Sequence, residues 1–114
     1  MITGLHTILY SADAAKLREF FGDVLAWPSV DAGGGWPIFA QPPSELAVHP
    51  DTTGGRTELY LLCDDLTATL AALALKGIEP SAPVRQERWG IVTRLRLPDG
   101  SEIGIYEPRH PRPV

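Results

Sequence analysis

The side chains in this chain that are able to do chemistry are few, and they lie far apart along the sequence. Two imidazoles and one carboxylate, those of His6, His49 and Glu58, are the ligand types of non-heme iron oxygenases. A divalent metal held by such a set would keep open positions for two adjacent oxygens of a substrate, and it would act as a Lewis acid and a template. Cys63 is the single cysteine, which excludes a disulfide framework and a thiolate zinc site within one chain.

Aromatic and basic side chains offer a second kind of chemistry, which is the binding of a planar or anionic ligand. Tyr60 and Tyr106 can hydrogen-bond or protonate a substrate. Trp36 and Trp89 can stack on a planar ligand, and Arg94 can bind an anion. Each of these residues also has a purely structural interpretation. The tyrosines would be packing residues with solvated hydroxyls, the tryptophans would lie in a core or a dimer interface, and the arginine would lie on an ion-paired face.

An internal repeat divides the chain into two halves that must position these residues. The apolar stretch 6–13, which ends in an aspartate, has a counterpart at 58–65, and the stretch 44–49 has one at 101–106. Two matches in the same order at nearly equal shifts indicate a duplication. We therefore predict module 1 over about residues 1–53, module 2 over about 54–108, and a proline-rich tail over 109–114.

Each half is predicted to run strand, helix and then three strands. In the first half we predict a strand over 2–10, a helix over 14–25 capped by Asp13 and stopped by Trp27-Pro28, and strands at 29–31, 36–40 and 45–49. In the second half we predict a strand over 57–63, a helix from Asp64 or Asp65 to about Lys76 followed by Gly77, strands near 82–88 and 91–97, a turn over 98–101 and a strand over 101–106.

Three motifs occur in order: the opening stretch 6–10 with Asp13, the helix ending 20–27, and the closing turn and strand 98–103. Together they resemble the vicinal oxygen chelate superfamily, which includes glyoxalase I, bleomycin-resistance proteins and extradiol dioxygenases. The resemblance covers nearly the whole chain. It implies an α+β fold of two βαβββ modules (the glyoxalase/bleomycin resistance/dihydroxybiphenyl dioxygenase-like fold), sheets that curve around a shared cleft, and a homodimer.

The resemblance also implies where a metal is held, namely by residues of the first and fourth strands of each module. The two first-strand positions are His6 and Glu58, which are good ligand types. The two fourth-strand positions are Ala47 and Gly104, which have no ligating side chain. Two glyoxalase-type ligands are therefore missing, which argues against glyoxalase I activity.

Strand alternation places the remaining candidates. If His6 faces the cleft, Glu58 and Tyr60 also face it, while Leu59, Leu61 and Cys63 face the helix, as do Leu46, Val48, Ile103 and Ile105 of the last strands. His49 and Tyr106 then face the cleft, two residues beyond each empty slot. The alternatives are a cavity-lining role for His6, a solvated strand end for His49, and for Glu58 either a salt bridge with Arg94 or Arg96 or exposure where its strand begins.

Composition excludes several classes of function. Fourteen acidic against ten basic side chains give a net charge of −4, which argues against a nucleic-acid partner. No apolar run approaches the roughly 20 residues of a membrane helix. The first residues lack the basic and apolar regions of a signal peptide, so a cytoplasmic location is expected.

Two functional hypotheses remain open, with a small molecule as ligand or substrate in both. The first is a metal-dependent enzyme of dioxygenase or lyase type, with Fe(II), Mn(II) or Zn(II) on His6, His49 and Glu58, and with Glu58 and Tyr106 in catalysis. The alternative is a metal-free binding protein that sequesters a small aromatic or antibiotic-like ligand in a dimer cleft, with Tyr60, Trp36, Trp89 and Arg94 as ligand contacts. A third, weaker hypothesis is an accessory or interaction domain without enzymatic activity.

Overall fold

A mixed four-stranded sheet built by the second half forms the packed body of the protein. The computed structural model describes residues 1 and 6–114. In chain order its elements are α1 (Ala14–Glu19), which continues as one π-helical turn over Phe20–Val24, β1 (Ser29–Asp31), β2 (Pro37–Phe39), β3 (Tyr60–Leu62), α2 (Leu66–Ala74), β4 (Arg85–Glu87), β5 (Gly90–Arg96) and β6 (Glu102–Pro108).

The sheet of the second half has the strand order β3-β6-β5-β4. β3 runs parallel to β6, and the other two pairs are antiparallel. The chain order of the second half is therefore strand, helix and three strands, as predicted. The strands β1 and β2 form a separate antiparallel hairpin in the first half. The α+β class is confirmed, and neither helix in the described part of the chain has the length and apolar content needed to cross a membrane.

Both helices begin where the sequence predicts a cap. The Asp13 carboxylate accepts a hydrogen bond from the Lys16 amide, and the Asp65 carboxylate accepts one from the Ala68 amide. Each carboxylate satisfies an amide that has no partner within the helix. Gly77 ends the turn after α2 at φ +79°, the left-handed conformation that glycine adopts without steric cost.

One apolar cluster fills the space between the two helices and one face of the sheet. It consists of Leu17, Phe20, Phe21, Leu66, Leu73, Ile78, Leu95, Leu97, Ile103 and Ile105. Leu59, Leu61 and Cys63 pack against it from the β3 side, as alternation predicted. The Glu107 carboxylate also accepts a hydrogen bond from the Leu66 amide at 2.9 Å, which ties the start of α2 to the sheet.

Both helices of the described chain pack on this one face, and we call the opposite face of the sheet the open face. In the register of the strands, Tyr60 and Arg94 lie on either side of Gly104, and Leu62 lies next to Tyr106. A Cβ atom added to Gly104 would overlap the Tyr60 ring. The ring therefore lies directly on the β6 backbone, and only glycine leaves room for it.

The first half departs from the predicted strand plan. The strand predicted over 2–10 lies partly outside the described residues, and its described part, 6–10, forms no ladder. The predicted strand 45–49 also forms no ladder, and Leu46 and Val48 are 87% and 91% exposed, so the prediction that they face a helix is wrong. A strand needs a neighbour to satisfy its backbone amides and carbonyls, and neither segment has one within the described chain.

We expect Gly104→Ala to destabilise the protein by about 1–3 kcal/mol, the usual cost of overpacking a filled site. The added methyl group must displace the Tyr60 ring or shift β6. Urea unfolding followed by circular dichroism measures the change.

Gly54→Ala is the matched control for this variant. An added Cβ at Gly54 meets nothing within 4 Å, so its free energy of unfolding should change by no more than about 0.5 kcal/mol. In the Tyr60→Ala background, Gly104→Ala should cost much less, since the ring is gone. An equal cost in both backgrounds would contradict the contact.

Candidate functional site

Three aromatic side chains meet on the open face of the sheet, and we call them the aromatic cluster: Tyr60, Trp89 and Tyr106. The Tyr106 ring lies at its centre, with ring centroids 5.7 Å from Tyr60 and 5.0 Å from Trp89. Both pairs are edge-to-face, with interplanar angles of 80° and 86°. This geometry places the electropositive edge of one ring on the face of the next, and it holds the three rings in fixed mutual orientation.

Glu58 lies at one edge of the aromatic cluster, just before β3 begins. Its Oε2 accepts a hydrogen bond from the Tyr60 hydroxyl at 3.1 Å, and its Oε1 accepts one from the Arg56 guanidinium at 2.5 Å. The carboxylate is about half exposed. The predicted alternative of exposure at a strand start describes this position, whereas the predicted salt bridge with Arg94 or Arg96 is wrong, since the partner is Arg56.

His110 and Glu45 lie at the other edge of the cluster. The Tyr106 hydroxyl lies 3.0 Å from His110 Nε2, and the two ring centroids are 5.9 Å apart. Glu45 is mostly buried, and its Oε2 accepts a hydrogen bond from Arg112 Nε at 3.4 Å. The polar groups of the tail and of the first half therefore surround the hydroxyl of the central tyrosine.

The surroundings of the two cluster tyrosines favour their neutral forms. Burial raises the pKa of Tyr60 above the ordinary 10.0, and the hydrogen bond and negative charge of Glu58 raise it further. Burial also raises the pKa of Tyr106, and the negative charge of Glu45 adds to the rise. Both hydroxyls are therefore protonated at neutral pH, and each can serve as a hydrogen-bond donor.

The candidate metal ligands do not come together as a metal site. His6 and His49 are exposed, and His49 Nδ1 bonds to the Pro50 carbonyl at 2.7 Å. Both oxygens of Glu58 already accept hydrogen bonds. Over residues 1 and 6–114, no group of three or more His, Cys, Asp or Glu side chains is close enough to hold a metal ion. The described arrangement does not fit a metal, and we derive no chemical step through one.

The Gly104 slot has a further consequence for ligation. The resemblance described above implies a carboxylate ligand at this fourth-strand position. Here the position is Gly104, and the Tyr60 ring covers it. The position is therefore filled by an aromatic surface and contributes no ligating oxygen.

The remaining predicted ligand contacts divide between two places. Trp89 and Arg94 belong to the open face, where Arg94 Nε lies 3.8 Å from a Glu102 oxygen. Trp36 lies on the loop of the β1–β2 hairpin, 61% exposed, with the Arg18 guanidinium 4.9 Å above its ring. Trp36 thus lies on a different element from the aromatic cluster.

Sequence reasoning gave too little weight to the tail. His110 and Arg112 lie in the segment that was predicted to be a proline-rich tail, yet both contact the site. The alternation of histidine and arginine with proline was the available signal, because regularly spaced prolines stiffen a segment and hold its side chains in place.

Two shallow depressions in the surface lie elsewhere. One of about 310 Å³ runs along α2 beside Val24 and Lys76, and one of about 260 Å³ lies on the β1–β2 hairpin. Neither has the convergent polar groups that ligand sites usually have. The aromatic cluster has such polar groups at its edges.

The raised tyrosine pKa values make stability depend on pH at the alkaline end. Folding raises both values above those of the unfolded chain, so this contribution is complete below pH 10 and is lost as pH rises through the raised values. We expect the free energy of unfolding, measured in urea between pH 8 and about pH 11, to fall above about pH 10.

The control for this pH dependence is the double variant Tyr60→Phe/Tyr106→Phe, which keeps both rings and removes both titrating hydroxyls. Its stability should depend less steeply on pH in the same range. The same slope in both proteins would show that other groups cause the fall.

No protein-family model matches this sequence, and no curated protein matches it. Solved structures do match over nearly the whole chain. TnmS3, an antibiotic binding protein from Streptomyces sp. CB03234, is similar with a TM-score of 0.66 and 21% identity, over 94% of this chain and 97% of that chain.

Two further solved structures extend the comparison. A member of the glyoxalase/bleomycin resistance protein/dioxygenase superfamily from Sphaerobacter thermophilus DSM 20745 matches with a TM-score of 0.63 and 22% identity, over 93% of this chain and 98% of that chain. Lactoylglutathione lyase from Agrobacterium tumefaciens matches with a TM-score of 0.56 and 16% identity, over 92% of both chains. This chain therefore has the fold of the glyoxalase/bleomycin resistance protein/dioxygenase superfamily.

Proposed function

We propose that this protein binds a small, planar aromatic molecule on the open face of its sheet without a metal. The observation that carries the proposal is the aromatic cluster, in which Tyr60, Trp89 and Tyr106 hold one another edge-to-face on a sheet face that no helix covers. Such a surface offers rings for stacking, and the Tyr106 hydroxyl can donate to a ligand that displaces His110, whereas the Tyr60 hydroxyl donates to Glu58.

The surroundings of the cluster support recognition of a ligand with polar substituents. Arg94 provides a positive charge beside Tyr60, on the far side of Gly104. Glu58 and Glu45 provide acceptors at the two edges. A planar ligand on the rings would thus meet a donor on one side and acceptors on the others.

The comparison with TnmS3 also supports ligand binding. That protein is an antibiotic binding protein, and it shares this fold over nearly its full length. At 21% identity the likeness concerns the fold, so the ligand of this chain is proposed from its own side chains.

The metal-dependent enzyme remains a prediction without support from the described geometry. Glu58 would have to release Arg56 and Tyr60 before it could ligate a metal. The roles assigned to Glu58 and Tyr106 in catalysis, and the cytoplasmic location, likewise stay predictions.

Substitution in the aromatic cluster tests the proposed site. With 8-anilinonaphthalene-1-sulfonate as a planar probe, we expect Tyr106→Ala and Trp89→Ala each to weaken binding by about tenfold, equal to about 1.4 kcal/mol, because each removes a stacking surface. Isothermal titration or dye fluorescence measures the Kd.

Trp36→Ala is the matched control, since it removes an exposed tryptophan from another element. It should leave the Kd within about twofold. A second arm adds excess chelator, which should change nothing. Loss of binding in chelator would favour the metal hypothesis, and equal loss in the Trp36 and Trp89 variants would contradict the cluster as the site.

We further propose that the ligand cleft is completed in a homodimer. The described fold has an accessible surface of 8552 Å², whereas a compact monomer of 12.4 kDa exposes about 6,100 Å². The radius of gyration is 15.2 Å, against about 13 Å for a compact chain of this length. The excess surface is of the size that each partner buries in an obligate dimer.

The excess is concentrated in the first half, in the two segments without a ladder. Ile8 and Tyr10 are 60% and 91% exposed, and Leu46 and Val48 are exposed to a similar degree. An alternating apolar segment with unpaired backbone groups is a template for strand pairing. A second copy offers the same segments and the sheet edge at β3, so it satisfies both the backbone and the side chains.

We expect Leu46→Glu to convert the dimer into a monomer, because it places a charge in the proposed contact. Sedimentation equilibrium measures the mass. Leu75→Glu is the matched control, since Leu75 is 92% exposed at the end of α2 and should tolerate the charge without loss of the dimer. A wild-type protein that sediments as a monomer at micromolar concentration would contradict the dimer.

A further inference from the structure

The C-terminal segment 109–114 lies beside the ring that the proposed function needs most. We propose that this segment is a strap that closes the ligand face by covering the hydroxyl end of Tyr106, and that it must lift before a ligand can bind there. This inference concerns regulation of the same site and therefore rests on the proposed function.

Proline determines how the strap is held. The last ladder bond of the sheet runs from the Arg109 amide to the Trp89 carbonyl at 2.9 Å. β5 begins at Gly90, opposite Pro108, so the ladder with β5 ends there, and Pro111 and Pro113 have no amide proton to donate to any other strand. Its hold on the rest of the protein therefore depends on side chains.

The first side-chain hold is the hydrogen bond between Tyr106 and His110. His110 Nδ1 lies 2.7 Å from the Pro111 carbonyl, which can only accept, so Nδ1 carries the proton of this bond. In neutral His110, Nε2 then accepts from the Tyr106 hydroxyl at 3.0 Å. The donor that a ligand would use is thus already bound to the strap.

The second hold joins the strap to the first half of the chain. Arg112 Nε lies 3.4 Å from Glu45 Oε2, and the Glu45 side chain is only 16% exposed. Glu45 Oε1 is buried, has no hydrogen-bond partner among the described residues, and lies 4.0 Å from His110 Nε2. Glu45 therefore lies close to both strap side chains and holds the closed position through Arg112.

The closed position is reversible, because its holds are few and partly exposed. His110 and Arg112 are 30% and 35% exposed, and a pair in contact with water is weak. Prolines limit the conformational entropy that the segment gains when it lifts, which favours the closed position. Once the strap has lifted, a ligand takes the Tyr106 hydroxyl in place of His110, so the apparent affinity equals the intrinsic affinity multiplied by the fraction of open molecules.

The experiment uses stopped-flow fluorescence to measure the binding of 8-anilinonaphthalene-1-sulfonate to four proteins. These are the wild type, Arg112→Ala, a chain that ends at Arg109, and Arg109→Ala. Arg112→Ala removes the pair with Glu45, and a chain that ends at Arg109 removes the strap. We expect both to raise the association rate constant at least threefold and to lower the Kd. Arg109→Ala is the matched control, because it removes the same charge from an exposed position and should leave both constants within 1.5-fold, roughly the error of such rates.

A second variant separates failure of the strap from failure of the site. Tyr106→Leu is placed in the chain that ends at Arg109, and it should abolish the gain in binding. If dye binding is insensitive to Tyr106→Leu in every protein, the proposed function is wrong. If Tyr106→Leu removes binding but the shortened chain binds like the wild type, or more weakly, the site stands and the strap is wrong.

Discussion

The Tyr60 ring rests on bare backbone at Gly104, and the arrangement of the open face depends on that contact. Any side chain at this position would overlap the ring. With the ring in place, Tyr60 meets Tyr106 edge-to-face, and its hydroxyl reaches Glu58 at 3.1 Å. The resemblance implies a metal ligand at position 104. Because glycine has no side chain, an aromatic ring covers this position instead.

The two faces of the same sheet have opposite roles because strand side chains alternate. Ile103 and Ile105 of β6 lie in the apolar cluster beneath the helices. Gly104 and Tyr106 alternate with them and lie on the open face. The stability of the body and the chemistry of the site are therefore carried by neighbouring residues of one strand. A substitution on one face can act on the other only by moving the backbone of β6.

The two halves of the chain differ in how far each is complete on its own. The second half closes its backbone hydrogen bonds in a four-stranded sheet, whereas the described first half has a helix and a hairpin, with apolar segments on either side left exposed. Burial of apolar surface is the main favourable term in folding, and these exposed segments are the basis of the proposed homodimer.

The sequence was sufficient for the elements whose signals are local. Asp13 and Asp65 cap the helices as predicted, because a cap involves an amide only three residues away. Alternation also placed Tyr60 and Tyr106 on the open face, since a strand fixes which side each residue faces. The strands predicted over 6–10 and 45–49 were not found in the described chain, because strand formation requires a partner that lies far away in sequence or in another chain.

The amino-acid sequence by itself determined the α+β class, the order of elements in the second half and the face on which the tyrosines lie, because helix and strand periodicity are properties of neighbouring residues. Only the tertiary structure decided which side chains meet. Tyr60 meets Tyr106 edge-to-face from a different strand, and Glu45 bonds to Arg112, 67 residues away. Such contacts depend on how the chain folds back on itself, and local spacing contains no information about that.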